Sequence, residues 1–327
     1  MPNTPARRAV VGSLASLPAL LLGREGAAQI PALSLRPTRM IVPLPPGSSP
    51  DLAARIFADA LSRRRGHPIA VENRVGATGA VAGSAFLQAR PGDALFFGMG
   101  DLMTVAPMTE ANTPFADAEG FLPISTAATD FMVVAVPASL PVRSLSEFVG
   151  YARARPGALN WFATPSTALY IAFNAFLHRA DVDAVFVSFR GLMMHEVSQE
   201  RVHAALVPLS SAMPFVQNGS VRLLATPSRT RAAVAPEVPT TAEAGFPDLW
   251  VEGFLGVFGW RGMPDAAREE YSNEARAVLA ESSVVERYAA AGLQARGSTP
   301  GEFQAELDRH RAEWATLARE FGAAPKG

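Results

Sequence analysis

The sequence predicts an α/β protein of two lobes, each a mostly parallel sheet flanked by helices, joined by two crossover strands. Three observations carry this expectation. Apolar runs of strand length alternate with helical segments through most of the chain. At 327 residues and 49% hydrophobic, the chain is long for one compact domain and can bury two cores. The alternation restarts after an apolar run at Phe131, and an apolar strand follows a proline-rich connection near Gly253, which suggests where the crossings fall.

Residues 1–28 read as an export signal. Arg7 and Arg8 form a charged start, an apolar run follows, and Gly26, Ala27 and Ala28 supply the small residues a signal peptidase needs. Cleavage is expected after Ala28, by either the general or the twin-arginine route. The apolar run is too short to span a bilayer and Pro18 interrupts it. Residues 29–132 with 252–327 are expected to form the first lobe, and 133–251 the second.

The first unit, residues 40–65, packs a strand, a Gly-Pro turn and a capped helix into one βα element. Pro43, Pro45, Pro46 and Gly47 end the strand, because proline lacks a ladder donor and glycine tolerates tight turns. Ser49 suits the N-cap, Pro50 the first helical position and Asp51 the positive helix end. Free backbone N–H groups at such a place either hold an anion or bind water. Strands then follow at 69–72, at 95–99 and within 123–136, with a small-residue helix to about Ala89. Ser144 and Glu147 make a capping box for a helix that Pro156 and Gly157 stop.

In the second half, strands are expected at 159–163, 184–189, 204–208 and 221–226, with helices at 167–179, 193–200 and 211–217 between them. Residues 253–260 form an apolar strand with glycine at every third position. Residues 266–281, 284–291 and 299–321 have helical spacing, and Gly292 fits a helix stop.

Composition removes several functions. With 29 Lys and Arg against 30 Asp and Glu, a nucleic-acid partner is not expected. The only lysine is Lys326 and there is no cysteine, which excludes a Schiff-base lysine, thiol nucleophiles, thiolate metal sites and a lipidated cysteine. His67, His178, His195, His203 and His310 lack metal-ligand spacing, and no GxSxG elbow occurs. Gly76, Gly79 and Gly83 open a helix after a strand, but the dinucleotide pattern's close glycine pair is missing. These glycines serve either close approach to a small ligand or tight helix packing. Trp161, Phe162, Tyr170 and Phe189 line either a pocket or a core, and the Tyr170 hydroxyl argues for the pocket. Asp51 and Glu72 show no sign of meeting as an acid–base pair, so no catalytic residue, metal or cofactor is expected.

With these residues assembled, the chain resembles the extracytoplasmic solute-binding proteins of tripartite tricarboxylate transporters, the Bug family. The resemblance rests on IVPLPPGSSPDLAARI from Ile41, VENRVGATGAVAG from Val71, SLSEFVGYARARPGALNW from Ser144 and FRG at 189–191. The run VRLLATPSRTRAAVAPEVPTTAEAGFP from Val221 and GSTPGEF from Gly297 continue it. It implies a type II-like two-lobed periplasmic binding protein, soluble and not lipid-anchored, that closes on a small carboxylate without chemistry or cofactor. A membrane permease of a tripartite transporter would be its partner, and a monomer is expected. A ligand-dependent sensor on the same fold would read the same way in sequence. The implied ligand-binding residues are Pro46, Gly47, Ser48, Ser49, Asp51, Gly76 and Thr78 in the first lobe. Thr164, Ser166, Thr167, Tyr170, Arg190 and Gly191 are those of the second.

Departures from the family pattern fall in the ligand loops. Ser48 stands where a second glycine is usual, and WFATPSTALY replaces a Gly- and Ser-rich turn ending in histidine. Leu192, Met193, Met194 and His195 replace small residues and a proline. A micromolar ligand needs about 8 kcal/mol, and each hydrogen bond to a charged group gives roughly 1.5 to 3 kcal/mol, so the second lobe must contribute. Its bulk and apolar surface favour a monocarboxylate, or an aromatic or apolar acid, over a citrate-like tricarboxylate.

Overall fold

The computed structural model describes residues 38–165, 167–188 and 193–321. Strand β1 (Arg39–Val42) is followed by helix α1 (Ser49–Arg65), β2 (Ala70–Asn73), α2 (Ala80–Leu87) and β3 (Ala94–Met99). Two short helices, α3 (Gly100–Thr104) and α4 (Ala106–Thr109), lead to β4 (Leu122–Asp130) and β5 (Met132–Pro137). Next come α5 (Leu145–Arg153), β6 (Asn160–Ala163), α6 (Ala168–Arg179), β7 (Val185–Phe186), β8 (Ala204–Pro208) and β9 (Val221–Ala225). Beyond them are β10 (Gly253–Gly259), helices Asp265–Leu279 and Ser282–Ala290, β11 (Leu293–Ala295) and the last helix, Pro300–Phe321. The expected export signal, residues 1–28, lies outside the described residues. Among the described residues no helix is long and apolar enough to cross a membrane.

The strands form two sheets, one of six strands in the order β11-β4-β10-β3-β1-β2 and one of five in the order β7-β6-β8-β5-β9. Most strands of each sheet run one way, as expected: β1, β2, β3 and β4 against β10 and β11 in the first, and β6, β7, β8 and β9 against β5 in the second. β1 pairs in parallel with β2 and β3, and β6 with β7 and β8. β10 runs antiparallel to β3 and β4, and β5 antiparallel to β8 and β9. The reversal has a simple cause. β4 leaves the first sheet, a single residue, Phe131, intervenes, and β5 begins the second sheet; β10 then returns. A strand that enters a sheet from the other sheet's side runs against the βαβ strands already there.

Each sheet has its own apolar packing. Around the first, Phe96 lies edge-on to Phe121 with ring centroids 5.2 Å apart. Gly256 of the central strand β10 has no side chain because the Phe303 ring of the last helix occupies that space. Around the second, Trp161, Phe173 and Phe148 are buried. The last helix, counted with the first lobe on sequence, serves both: Phe303 and Leu307 join the first core, whereas Trp314 and Ala318 join the second. At α5 the Glu147 N–H donates to Ser144 Oγ at 3.1 Å as expected, while the Glu147 carboxylate accepts from the Arg143 N–H at 2.6 Å and not from that of Ser144. Elsewhere α1 begins one residue earlier than expected, so its N-cap is Ser48 and not Ser49.

Candidate functional site

Ligands of open α/β sheets lie beyond the carboxyl ends of parallel strands, and here three loops of the first lobe leave from such ends. After β1, the Ser48 N–H and hydroxyl both donate to the Pro45 carbonyl, at 3.2 and 2.7 Å, closing a turn whose tip, Pro45 to Gly47, is exposed. Asp51 fixes this loop from inside. Its carboxylate accepts from the Gly47 N–H at 2.8 Å, Arg55 Nε at 3.0 Å and Asn73 Nδ2 at 2.8 Å. Asn73 also donates to the Leu44 carbonyl at 2.9 Å, so β2 is pinned to the same turn. Burial pushes the Asp51 carboxyl up, but the hydrogen bonds from Arg55, Gly47 and Asn73 outweigh it and hold the group below its ordinary value. With 1% exposure and all these donors, the carboxylate is engaged by protein and shapes the loop.

The second loop follows β2. Gly76, Ala77, Thr78 and Gly79 all have positive φ, of 139°, 45°, 49° and 87°. Only glycine tolerates the first of these values, and a β-branched residue in the left-handed region is strained. Thr78 is therefore held there, exposed at the tip, by its surroundings; a Cβ at Gly79 would press on Leu102 at 3.2 Å and Pro43 at 3.3 Å. This turn thus packs between the first loop and α3. Thr78→Gly is expected to raise stability by about 1 kcal/mol in urea unfolding by relieving the strain, and a loss of stability would contradict that view.

The third loop is α3, which carries Asp101 across to the second lobe. Its Oδ2 accepts the N–H of Ala168, the first residue of α6, at 3.1 Å. Behind it, Trp314 Nε1 donates to His310 Nε2 at 2.9 Å, and His310 Nδ1 meets Thr104 Oγ1 at 2.8 Å. Burial raises the Asp101 pKa above its ordinary value and lowers that of His310. The carboxyl ends of β1 and β3 in one sheet and β6 in the other are therefore brought to one place.

The expected site residues divide accordingly. Pro46, Gly47, Ser48, Gly76 and Thr78 lie on the two exposed turns, and Ser49 is buried in the first turn of α1 with its hydroxyl unpartnered among the described residues. Thr164 is exposed before α6, and Thr167 stands at the N-cap position with its hydroxyl donating backward to the Thr164 carbonyl at 2.7 Å and accepting no helix N–H. Tyr170 is corrected. It is 2% exposed and stacks on Trp161 with centroids 5.4 Å apart, because its ring fills the second lobe's core. Trp161 is likewise core. Ser166, Phe189, Arg190 and Gly191 lie outside the described residues. Asn73, Arg55 and Asp101 were not anticipated, although Asp101 stands just past the end of an apolar strand, the place that drew attention to Asp51.

Two cavities lie elsewhere. One of about 310 Å³, lined by Pro137, Tyr151, Arg155 and His203, opens at the amino ends of β6 and β8, the end away from Thr164. The other, of about 120 Å³, lies between Trp250, Arg296 and the last helix. Among the described residues no cluster of three or more His, Asp or Glu side chains is arranged to hold a metal ion.

The model of the tripartite tricarboxylate transporter family receptor matches residues 53–302. The chain belongs to this receptor family. A UPF0065 protein of Pseudomonas sp., in the tcbD-tcbE intergenic region, is 30% identical over 323 residues, covering 96% of this chain and 94% of the relative. BugT of Bordetella pertussis is 27% identical, covering 88% and 90%. Among solved structures, R. palustris Rpa4515 with adipate superposes with a TM-score of 0.82 at 25% identity, over 89% of this chain and 99% of that one. The periplasmic binding protein BugD, at 21% identity and a TM-score of 0.77, covering 88% and 98%, shares the fold. Receptors of this family bind solutes, and the two-lobed α/β architecture of this chain is theirs.

Proposed function

We propose that this receptor captures a small organic acid between its lobes in the periplasm and delivers it to a membrane permease of the tripartite tricarboxylate type. The observation that carries the reading is the convergence of the Pro45–Gly47 turn, the strained Gly76–Gly79 turn and the start of α6 around α3, whose Leu102 lies against Gly79 and whose Asp101 accepts the Ala168 N–H. Helix starts and positive-φ turns present backbone N–H groups, which suit a carboxylate without a cofactor or a reaction. Adipate, the solute named with Rpa4515, belongs to the same chemical class. In this reading Asp51 acts indirectly, by holding the first turn open to solvent.

A thermal-shift screen of the purified chain over aliphatic, aromatic and amino acids tests the proposal, since a solute bound only by the folded state raises the melting point. At least one organic acid is expected to raise it in a concentration-dependent way. A panel in which only sugars, metals or nucleotides did so would overturn the assignment.

A further inference from the structure

The start of α6 is the position in the second lobe best suited to an anion, being the positive end of a 12-residue helix at the carboxyl end of β6. The protein's own carboxylate is already there, through the 3.1 Å bond from the Ala168 N–H to Asp101 Oδ2. Asp101 comes from the opposite lobe, at the carboxyl end of β3, and its side chain keeps 16% exposure.

Its charge is not neutralised by a neighbour. The nearest basic group, His310 Nε2, lies 3.8 Å from Oδ1. That nitrogen accepts the indole N–H of Trp314, so it carries no proton of its own. The ring proton is therefore on Nδ1, donated to Thr104 Oγ1, which passes its own hydrogen to the Gly100 carbonyl at 3.1 Å. The neutral imidazole behind Asp101 adds no opposite charge, and the Ala168 N–H and the positive helix start favour its ionised form against the burial that raises its pKa. No arginine forms an ion pair with Asp101 among the described residues.

We propose that Asp101 is a specificity-determining residue, whose carboxylate holds the anion position of the second lobe and restricts the ligand to acids with one carboxylate. This rests on the organic-acid reading above. The ligand's carboxylate would sit on the first-lobe turns, and its far end would be neutral or carry an ammonium group, because a second carboxylate would meet a like charge in a low-dielectric site.

The test is calorimetric titration of the purified full chain with matched acids: butyrate and succinate, hexanoate and adipate, octanoate and suberate, benzoate and terephthalate, with 6-aminohexanoate added. In wild type the monoacid of a pair is expected to bind at least about tenfold tighter than its diacid. Asp101→Asn keeps an acceptor for the Ala168 N–H and removes the charge, so it is expected to shift the ratio toward the diacid by about tenfold or more and to weaken 6-aminohexanoate relative to hexanoate. Asp101→Ser serves if the first variant fails to fold, as judged by its unfolding without ligand. A purely structural role would change both acids alike. A wild-type preference for diacids, or a ratio within twofold of wild type in the variant, overturns the role of Asp101 and leaves the organic-acid reading standing. Absence of binding across all pairs overturns both.

Discussion

Asp51→Ala is expected to cost about 2 to 4 kcal/mol of stability and to weaken any bound acid by about 100-fold. The carboxylate is buried and receives the Gly47 N–H, Arg55 Nε and Asn73 Nδ2. Arg55, 47% exposed, finds water once the carboxylate is gone and contributes little to the loss. The Gly47 and Asn73 donors belong to the turn itself, so the loop geometry goes with them. Urea unfolding measures the first effect and titration the second. Asp51's pKa is depressed in the folded state, so its contribution is present above the ordinary carboxylate range near 3.8 and is lost as pH falls below it. A variant with stability and affinity both unchanged would remove Asp51 from the account of the site.

The second large effect is at the crossing between the lobes. Asp130 ends β4, is 3% exposed, and its Oδ1 has no partner among the described residues. Burial raises its pKa from 3.8 to about 7. The unfolded chain ionises this group near 3.8 whereas the folded chain keeps the proton until about 7, so stability falls as pH rises between these values. Above pH 7 the full penalty stands, on the order of 2 to 4 kcal/mol for a shift of about three pKa units. Asp130→Asn is therefore expected to be more stable than wild type by that amount at about pH 8, and the gap should close near pH 4. His310, whose pKa burial lowers, takes stability away as pH falls below its ordinary value of 6.5. It does so in both proteins and cancels in the difference. Denaturant unfolding across this range measures the gap, and a gap that widened toward acid would reverse the assignment of Asp130 as a buried, neutral acid.

These effects also mark what was legible in the sequence. The βα unit around α1 could be read because its signals are local: prolines and Gly47 stop a strand, and Asp51 bonds a residue only four positions away. The α5 cap was visible for the same reason. β11 was not, since Leu293–Ala295 is a strand only by virtue of pairing with β4 far back in the chain. The crossings at Phe131 and before Gly253 were legible as apolar runs, whereas the antiparallel pairing of β5 and β10 that follows from them is set by partners far away in the chain. Tyr170 looked like a pocket residue because a hydroxyl suggests water, but packing against Trp161 and Phe186 decided its place. Asp101 reaches Ala168 across 67 residues, a separation no local pattern reports.

The central claim is that one small organic acid binds per chain, on turns organised by Asp51. Calorimetric titration of the strongest acid from the screen into wild type and Asp51→Ala tests it most directly. The expected result is a single site of about micromolar affinity in wild type, weakened about 100-fold in the variant while the variant remains folded. Equal affinity in both proteins, or no heat from any organic acid with the folded wild type, would contradict it.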